Sequence, residues 1–220
     1  MRLFLKRNVL EVHNHIAAEI GRSFRYNQVF CVNILGSPGS GKTSLIRLTL
    51  EALADKYYIG VIEGDLATDI DTRRLRQYNI PVYQINTQGG CHLEAKLIKS
   101  ALENFDLARL DILFIENIGN LVCPAAYRLG ESRRLVCLSI PEGDDKPAKY
   151  PPIFQNADLL LITKCDLEDH CSFDFKKVER DAKAANSRLE ILELSAKTGR
   201  GREAWINWLD KEMLTVRRNR

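Results

Sequence analysis

Gly36-Ser37-Pro38-Gly39-Ser40-Gly41-Lys42-Thr43 is a glycine-rich stretch that follows an apolar run and precedes a stretch with helical spacing. Its glycines let backbone N–H groups turn inward around a phosphate, and the N-terminus of the following helix adds the positive end of its dipole. In this pattern the lysine reaches the β- and γ-phosphates and the threonine hydroxyl binds Mg²⁺. The stretch therefore predicts a loop that holds a nucleoside triphosphate. The residues expected to contact the nucleotide here are Gly36, Pro38, Gly39, Ser40, Gly41, Lys42, Thr43 and Ser44.

Short apolar runs alternate with helical stretches along the rest of the chain. The predicted strands are 29–35, 58–63, 82–85, 112–116, 134–140, 158–163 and 189–194. The predicted helices are 42–55, 67–77, 91–105, 173–186 and 201–216. Such alternation is typical of crossover units, so we expect an α/β fold, a single P-loop NTPase domain with a mostly parallel sheet of about seven strands, covered on both faces. Ligands bind such sheets beyond the carboxyl ends of the strands.

An amphipathic helix is predicted ahead of this domain. Its apolar residues recur at helical spacing at Val9, Val12, Ile16, Ile20 and Phe24. We therefore divide the chain into an N-terminal helix at 1–28, the P-loop domain at 29–217 and a basic tail at 218–220. His13 and His15 fall on the helix and are expected to be surface or packing side chains rather than metal ligands.

Composition excludes several functional classes. The net charge of +3 is too small to argue for nucleic acid, and no apolar run reaches the ~18 residues that a membrane span needs. Met1 to Val9 contain too short an apolar run for a signal peptide. The chain has six cysteines and no recognisable export signal, so we expect a cytoplasmic protein with reduced thiols. Cys31 and Cys137 lie inside apolar runs and are expected to be core residues.

Acidic residues end two of the predicted strands. Asp65 closes the run Glu63-Gly64-Asp65, and Glu116 begins the run Glu116-Asn117-Ile118-Gly119. Their carboxylates would bind Mg²⁺ or its waters at the carboxyl edge of the sheet, and the Gly119 amide would bond the γ-phosphate. We therefore assign Lys42, Asp65, Glu116 and Gly119 to catalysis, and Thr43, Asp65 and Glu116 to magnesium.

The run Thr163-Lys164-Cys165-Asp166 predicts which base is bound. A carboxylate at Asp166 can accept hydrogen bonds from both N1–H and the exocyclic amino group of guanine, a donor pair that adenine lacks. Lys164 would lie over the base, and a backbone N–H near Ser195 and Ala196 would meet the guanine carbonyl oxygen. The pairing resembles the guanine-reading motifs of GTPases, except that Thr163 stands where that family usually has asparagine. GTP is therefore favoured over ATP.

Cys91, His92 and Cys123 are candidate ligands for a soft metal, because thiolate and imidazole suit Zn²⁺ and Ni²⁺. The glycines before Cys91 predict that it begins a helix, where the helix dipole would lower the thiol pKa. Three ligands leave a tetrahedral site one short, so water or a second subunit across a two-fold axis would complete it. The pair His170-Cys171 is instead expected to lie on a solvated surface.

Cys123 also stands close to the phosphate machinery in sequence. Three residues separate it from Gly119, the expected γ-phosphate sensor. A loop that reorders when the γ-phosphate leaves would carry Cys123 with it, so metal affinity is expected to depend on the bound nucleotide.

Several of these motifs together resemble the HypB family, GTPases that help to insert nickel into [NiFe]-hydrogenase. The matching segments are 36–43, Glu63-Gly64-Asp65 with Thr68 and Asp71, Cys91-His92-Leu93, Glu116-Asn117-Ile118-Gly119-Asn120-Leu121-Val122-Cys123-Pro124, and Glu142-Gly143-Asp144-Asp145-Lys146-Pro147 followed by Lys149-Tyr150-Pro151.

The resemblance implies a nucleotide-dependent homodimer with Ni or Zn at the subunit interface, bound by Cys91, His92 and Cys123. It further implies HypA and the hydrogenase large subunit as partners, and Asp71 as a candidate γ-phosphate or magnesium sensor. Some members carry an N-terminal cysteine cluster or a histidine-rich tail. Residues 1–30 contain no cysteine and the chain has four histidines, so metal transfer is favoured over nickel storage.

Other functions stay open at this point. A urease-type accessory GTPase would carry Cys-Pro-His where this chain has Cys123-Pro124-Ala125; a mutase-type accessory GTPase, a nucleoside kinase and a metal-binding scaffold with GTP as structural ligand are further alternatives. The guanine-reading loop argues against the kinase, and Ser37 argues against a partitioning ATPase. No positioned glutamine or arginine finger is evident, so intrinsic GTP hydrolysis should be slow, at most ~10⁻² per second.

Overall fold

The computed structural model describes residues 2–65, 75, 77–87 and 89–218 of the 220-residue chain. The strands are β1 Phe30–Gly36, β2 Ile59–Asp65, β3 Val82–Asn86, β4 Ile112–Glu116, β5 Arg133–Ser139, β6 Leu159–Thr163 and β7 Glu190–Leu194. The helices are α1 Arg2–Asn27, α2 Lys42–Leu53, α3 Ala95–Leu102, α4 Lys146–Lys149, α5 Pro151–Gln155, α6 Phe175–Ala185 and α7 Arg202–Arg218. In this part of the chain, no helix combines the length and the apolar character that crossing a membrane requires.

The described strands form one seven-stranded sheet in the order β3-β2-β4-β1-β5-β6-β7. Every pairing between them is parallel, which confirms the predicted α/β architecture and makes the sheet wholly rather than mostly parallel. β1 lies in the middle, and the strand order reverses on its two sides. This reversal is the switch point at which open parallel sheets bind ligands, and the phosphate loop leaves β1 at that point.

Alternate side chains of the strands pack against helices on opposite faces of the sheet. One face is covered by α2 and α7, whose apolar side chains pack on Phe30, Val32 and Ile34 of β1. The opposite face is covered by α1 and α3 beside β4, and by α5 and α6 beside β6. Because the strands are buried on both sides, they appear in sequence as continuous apolar runs rather than as alternating ones.

The N-terminal helix is longer than its amphipathic pattern suggests, and it belongs to the sheet's own core. Ala17, Ile20 and Phe24 are buried with residues of β1 and β4. His13 is buried and its Nε2 bonds the Arg128 carbonyl at 2.7 Å, whereas His15 is exposed, so both behave as the predicted packing and surface side chains. The boundaries 1–28, 29–217 and 218–220 stay a prediction.

Two expectations about helices need correction. The helix predicted at 91–105 begins only at Ala95, because Glu94 before it has an extended backbone (φ −102°, ψ 147°). The short helices α4 and α5 were not predicted; each has proline in its first turn, where the missing N–H costs no intrahelical bond. The helix predicted at 67–77 lies almost wholly outside the described residues, together with Thr68 and Asp71.

Candidate functional site

The glycine-rich loop adopts backbone angles that only glycine tolerates easily. Gly39 and Gly41 have φ of 73° and 93°. Gly36 has φ of 147°, and a Cβ there would lie 2.6 Å from both the Cys137 carbonyl oxygen and the Ser40 Oγ. Close packing and left-handed backbone together explain the glycines, and α2 begins directly behind the loop at Lys42.

Lys42 lies across this loop. Its side chain is buried, and its Nζ donates hydrogen bonds to the carbonyl oxygens of Gly36 at 3.2 Å and Ser37 at 2.9 Å. The ammonium is thus held against the loop, where it would neutralise the charge of bound phosphates. Two cavities that border the loop, of about 250 Å³ and about 310 Å³, are lined by Lys42 and Thr43.

Oxygen donors gather in the smaller cavity. The Thr43 hydroxyl donates a 2.8 Å hydrogen bond to Glu116, and Glu63 stands opposite Glu116 in the β2–β4 register. A hydroxyl beside carboxylates is the donor set that Mg²⁺ prefers, so these residues fit the ion. The sequence pattern gives Glu63 no role of its own beside Asp65. The Asp65 side chain lies outside what the structure describes, although β2 ends at that residue.

Gly119 lies against the phosphate loop. A Cβ at Gly119 would come within 2.7 Å of the backbone nitrogen and Cγ of Pro38. The segment that follows β4 therefore touches the loop that precedes α2. This contact places Gly119 beside the cavity, as its predicted role requires, and that role remains a prediction.

The larger cavity extends toward the predicted base-reading loop and includes Ser44, Arg47 and Lys164 in its lining. Asp166 accepts a 2.6 Å hydrogen bond from the Ser195 hydroxyl, and this bond holds the pKa of Asp166 below its ordinary value. The carboxylate is therefore ionised near neutral pH. Ala196, the next residue along the chain, is exposed. The two loops therefore meet through the bond between Ser195 and Asp166, and their contact with guanine stays a prediction.

Thr163 links the base-reading loop to the phosphate loop. Its buried hydroxyl donates a 2.6 Å hydrogen bond to the Ser40 carbonyl oxygen in the phosphate loop. The sequence left open whether threonine in place of the usual asparagine would loosen the base-reading loop. The hydroxyl at the end of β6 holds the loop to the phosphate site directly.

Cys91, His92 and Cys123 come together in space. Their ligand atoms all lie within 4.8 Å of one another, and in the described part of the chain no other group of three such side chains is close enough to hold a metal. Cys91 is exposed, whereas the other two are half-buried. His170 is exposed and its neighbour Cys171 is half-buried, outside this cluster.

The pKa of Cys91 differs from the sequence expectation. It is raised above the ordinary thiol value, mainly because the thiol contacts the Cys123 thiol, and burial adds to the effect. The expected lowering fails because α3 begins at Ala95, so Cys91 does not stand at a helix N-terminus.

Stacking interactions orient His92. Its ring stacks on that of Tyr127, with the ring centroids 4.0 Å apart and an interplanar angle of 19°. The edge of the His13 ring also contacts Tyr127, at a centroid distance of 5.0 Å and an interplanar angle of 75°. Burial lowers the pKa of His92, which favours the neutral imidazole that binds metals. A side chain of α1 thus supports the ligand through one tyrosine, a role that the sequence did not reveal.

A buried polar network lies beneath the cluster. Asn117 accepts a hydrogen bond from the Leu93 N–H at 3.2 Å and donates to the Asn33 Oδ1 at 3.2 Å. Asn33 in turn donates to Glu131 at 3.4 Å. These side chains connect β1, the end of β4 and the segment that carries His92. The signal in the sequence was polar residues inside otherwise apolar runs.

Arg134 completes the network on the other side. Its Nε donates to Glu131 at 2.9 Å, and both side chains are only 1% exposed. The other guanidinium nitrogens donate to the carbonyl oxygens of Ala125 at 3.1 Å and Tyr127 at 2.7 Å. The segment that follows Cys123 is therefore fastened to the sheet by a buried arginine.

A glycine-rich phosphate loop at the switch point of a wholly parallel sheet, with a lysine and a magnesium-type oxygen set beside it, defines a P-loop nucleotide-binding protein. Residues 30–193 match the family model described as "CobW/HypB/UreG, nucleotide-binding domain". The chain belongs to this family and, within it, to the HypB hydrogenase maturation factors.

Individual relatives and solved structures agree with this family assignment. The hydrogenase maturation factor HypB of Azotobacter vinelandii is 42% identical over 99% of this chain and 72% of its own length. The crystal structure of HypB from Archaeoglobus fulgidus matches with a TM-score of 0.87 and 39% identity, over 92% of this chain and 99% of that one. HypB from Helicobacter pylori, crystallised in complex with nickel, matches with a TM-score of 0.87 and 35% identity, over 94% of this chain and 98% of that one.

Proposed function

We propose that this protein is a GTP-hydrolysing metallochaperone that holds Ni²⁺ or Zn²⁺ at Cys91, His92 and Cys123 and assists nickel insertion into [NiFe]-hydrogenase in the cytoplasm. The observation that carries this proposal is the convergence of those three ligand atoms within 4.8 Å, while the segment that leads to Cys123 contacts the phosphate loop at Gly119. The nickel in the Helicobacter pylori HypB crystal and the maturation role in the names of the relatives support it.

The metal is cargo, so the site has to release it. Two thiolates and one imidazole suit Ni²⁺ and Zn²⁺ and leave a fourth position for water or for a second copy of the chain. Cys91 is exposed, and Val122 beside Cys123 is 62% exposed, an apolar side chain that a contact between copies would cover. We therefore infer a homodimer that shares the metal across its two-fold axis, with HypA and the hydrogenase large subunit as further partners.

The nucleotide would control this site. Asp166 selects guanine, Lys42 neutralises phosphate charge, and the Gly119 amide faces the terminal phosphate. Thr43, Glu116 and Asp65 would hold Mg²⁺, which offsets phosphate charge when bound.

Intrinsic hydrolysis of GTP should be slow, because no glutamine or arginine is assigned to the transition state. We expect phosphate release at no more than ~10⁻² per second in single-turnover assays, the range of unassisted GTPases. Lys42→Met should abolish it, because the buried ammonium at the loop is lost. Turnover well above that limit without any partner would argue for a metabolic enzyme instead. An unchanged rate in Lys42→Met would show that Lys42 does not serve hydrolysis.

The central experiment titrates Ni²⁺ and Zn²⁺ into the full chain with GDP and with a non-hydrolysable GTP analogue, while light scattering follows the oligomeric mass. In Cys123→Ala we expect Ni²⁺ affinity to fall more than about 100-fold, since a ligand matters at least as much as the groups that orient ligands. Cys171→Ala, at a half-buried cysteine outside the cluster, is the matched control and should bind metal normally.

The same titration separates the alternatives. Different metal affinities or different dimer populations with the two nucleotides support a nucleotide-controlled chaperone. Equal values with GDP and with the analogue identify a scaffold in which GTP is only a structural ligand. Unchanged metal affinity together with full stoichiometry in Cys123→Ala rejects the assigned site.

A further inference from the structure

Asn120 bonds to the phosphate loop through its backbone. Its N–H donates a 3.1 Å hydrogen bond to the Gly36 carbonyl oxygen, and the two residues form an isolated antiparallel bridge at the end of β1. The same carbonyl accepts a hydrogen bond from Lys42 Nζ at 3.2 Å. The lysine that meets the phosphates and the backbone of Asn120 therefore share one acceptor.

The side chain of Asn120 bonds to both cysteine segments. Its Oδ1 accepts hydrogen bonds from the N–H groups of Val122 at 2.8 Å and Cys123 at 3.4 Å. Its Nδ2 donates to the Cys91 carbonyl oxygen at 3.2 Å. One carboxamide thus connects the two segments that supply the thiols.

This arrangement needs an acceptor and a donor at opposite ends of one short side chain, which asparagine provides. Aspartate would keep the acceptor for Val122 and Cys123 but would place an oxygen against the Cys91 carbonyl. Alanine would remove both arms. A movement of the Gly36 carbonyl would therefore change the distance between the two thiols through Asn120 alone.

We propose that Asn120 is the positioning residue that couples the phosphate loop to the metal site. When Lys42 turns from the Gly36 carbonyl toward bound phosphates, the bond from Asn120 to that carbonyl changes, and the side chain resets Cys91 against Cys123. The inference rests on the proposed function, because it assumes that nucleotide controls metal affinity there. It assigns that control to one residue.

The test measures the ratio of Ni²⁺ dissociation constants with GDP and with a non-hydrolysable GTP analogue, in the full chain. Wild type should give a ratio of ~5 to ~150, the usual range of coupling between two sites. Asn120→Asp and Asn120→Ala should bring the ratio within about twofold of one. Asn156→Ala, which removes only a local bond to the Pro152 carbonyl, should keep the wild-type ratio.

Two further measurements keep the result decisive. Thermal unfolding with saturating GDP shows that each variant is folded, and Asn120→Asp decides the question if Asn120→Ala does not fold. Coupling is reciprocal, so Ni²⁺ must change the ratio of the dissociation constants for GDP and for the GTP analogue by the same factor.

The outcomes separate this inference from the proposed function. If wild type is coupled and the folded Asn120 variants keep its ratio, the inference is wrong and the chaperone proposal stands. If the variants weaken metal binding equally with both nucleotides, Asn120 is merely structural and the inference again fails. If wild type itself shows no coupling, the nucleotide-controlled function fails, and the inference fails with it.

Discussion

Arg134→Met is expected to lower the free energy of unfolding by about 3–5 kcal/mol, the cost of removing one partner of a buried ion pair. The side chains of Arg134 and Glu131 are each 1% exposed, so the Glu131 carboxylate would be left in the interior without its charge partner. The bonds from the guanidinium to the carbonyl oxygens of Ala125 and Tyr127 would be lost as well. Urea unfolding at pH 7, followed by tryptophan fluorescence, measures the change.

The neighbouring arginine supplies a matched control. Arg133 pairs with Glu212, and its side chain is 24% exposed. Glu212 is largely buried but keeps a second partner in Lys211 at 3.7 Å, so Arg133→Met should cost less than Arg134→Met. Combining Glu131→Gln with Arg134→Met removes the stranded charge and should recover part of the loss. Equal costs for the two single arginine variants would contradict the assigned role of burial.

The same arginine matters for the site. Tyr127 stacks on His92 and follows Cys123 closely in sequence, and its carbonyl oxygen is held by Arg134. The positions of His92 and Cys123, two of the candidate metal ligands, thus depend on a buried charge. A polar network of this kind fixes a unique arrangement at the expense of desolvation, which a purely apolar core would avoid.

Much of the fold could be predicted because it depends on local patterns. The seven strands lie within two residues of the apolar runs that predicted them, since parallel strands buried on both faces have to be continuously apolar. The phosphate loop was predictable for a similar reason, because the positive φ angles at Gly36, Gly39 and Gly41 favour glycine locally. Such constraints are visible in sequence without knowledge of any distant contact.

Several features that could not be predicted depend on distant contacts. Asn33 lies in a strand run, and its side chain bonds to those of Asn117 and Glu131, which are 84 and 98 residues away in sequence. A pattern along the chain cannot show such pairing. The start of α3 was misplaced for a different reason, because an extended residue at Glu94 ends the loop without glycine or proline to mark it.

Asp166→Asn is expected to weaken GDP binding by ~10²- to ~10⁴-fold and to create a preference for xanthosine diphosphate. Hydrogen bonds to a charged group contribute about 1.5–3 kcal/mol each, and the carboxylate would accept two of them from guanine. An asparagine amide still accepts from N1–H, but its NH₂ faces the guanine amino group, donor against donor. Xanthine presents a carbonyl oxygen at that position and restores the pair. Competition with a fluorescent GDP measures both affinities.

The reversal of preference from guanine to xanthine makes this change informative, because damage to the loop would weaken the binding of both nucleotides. Ser195 can still donate its hydroxyl hydrogen to the asparagine oxygen, so the 2.6 Å support of the side chain is retained. Asp169→Asn makes the same chemical change at an exposed position in the same turn and should leave both affinities within about twofold of wild type. If Asp166→Asn bound GDP as tightly as wild type, or lost both nucleotides equally, the base would have to be read elsewhere. A clear exchange of guanine for xanthine would show that Asp166 reads the base edge.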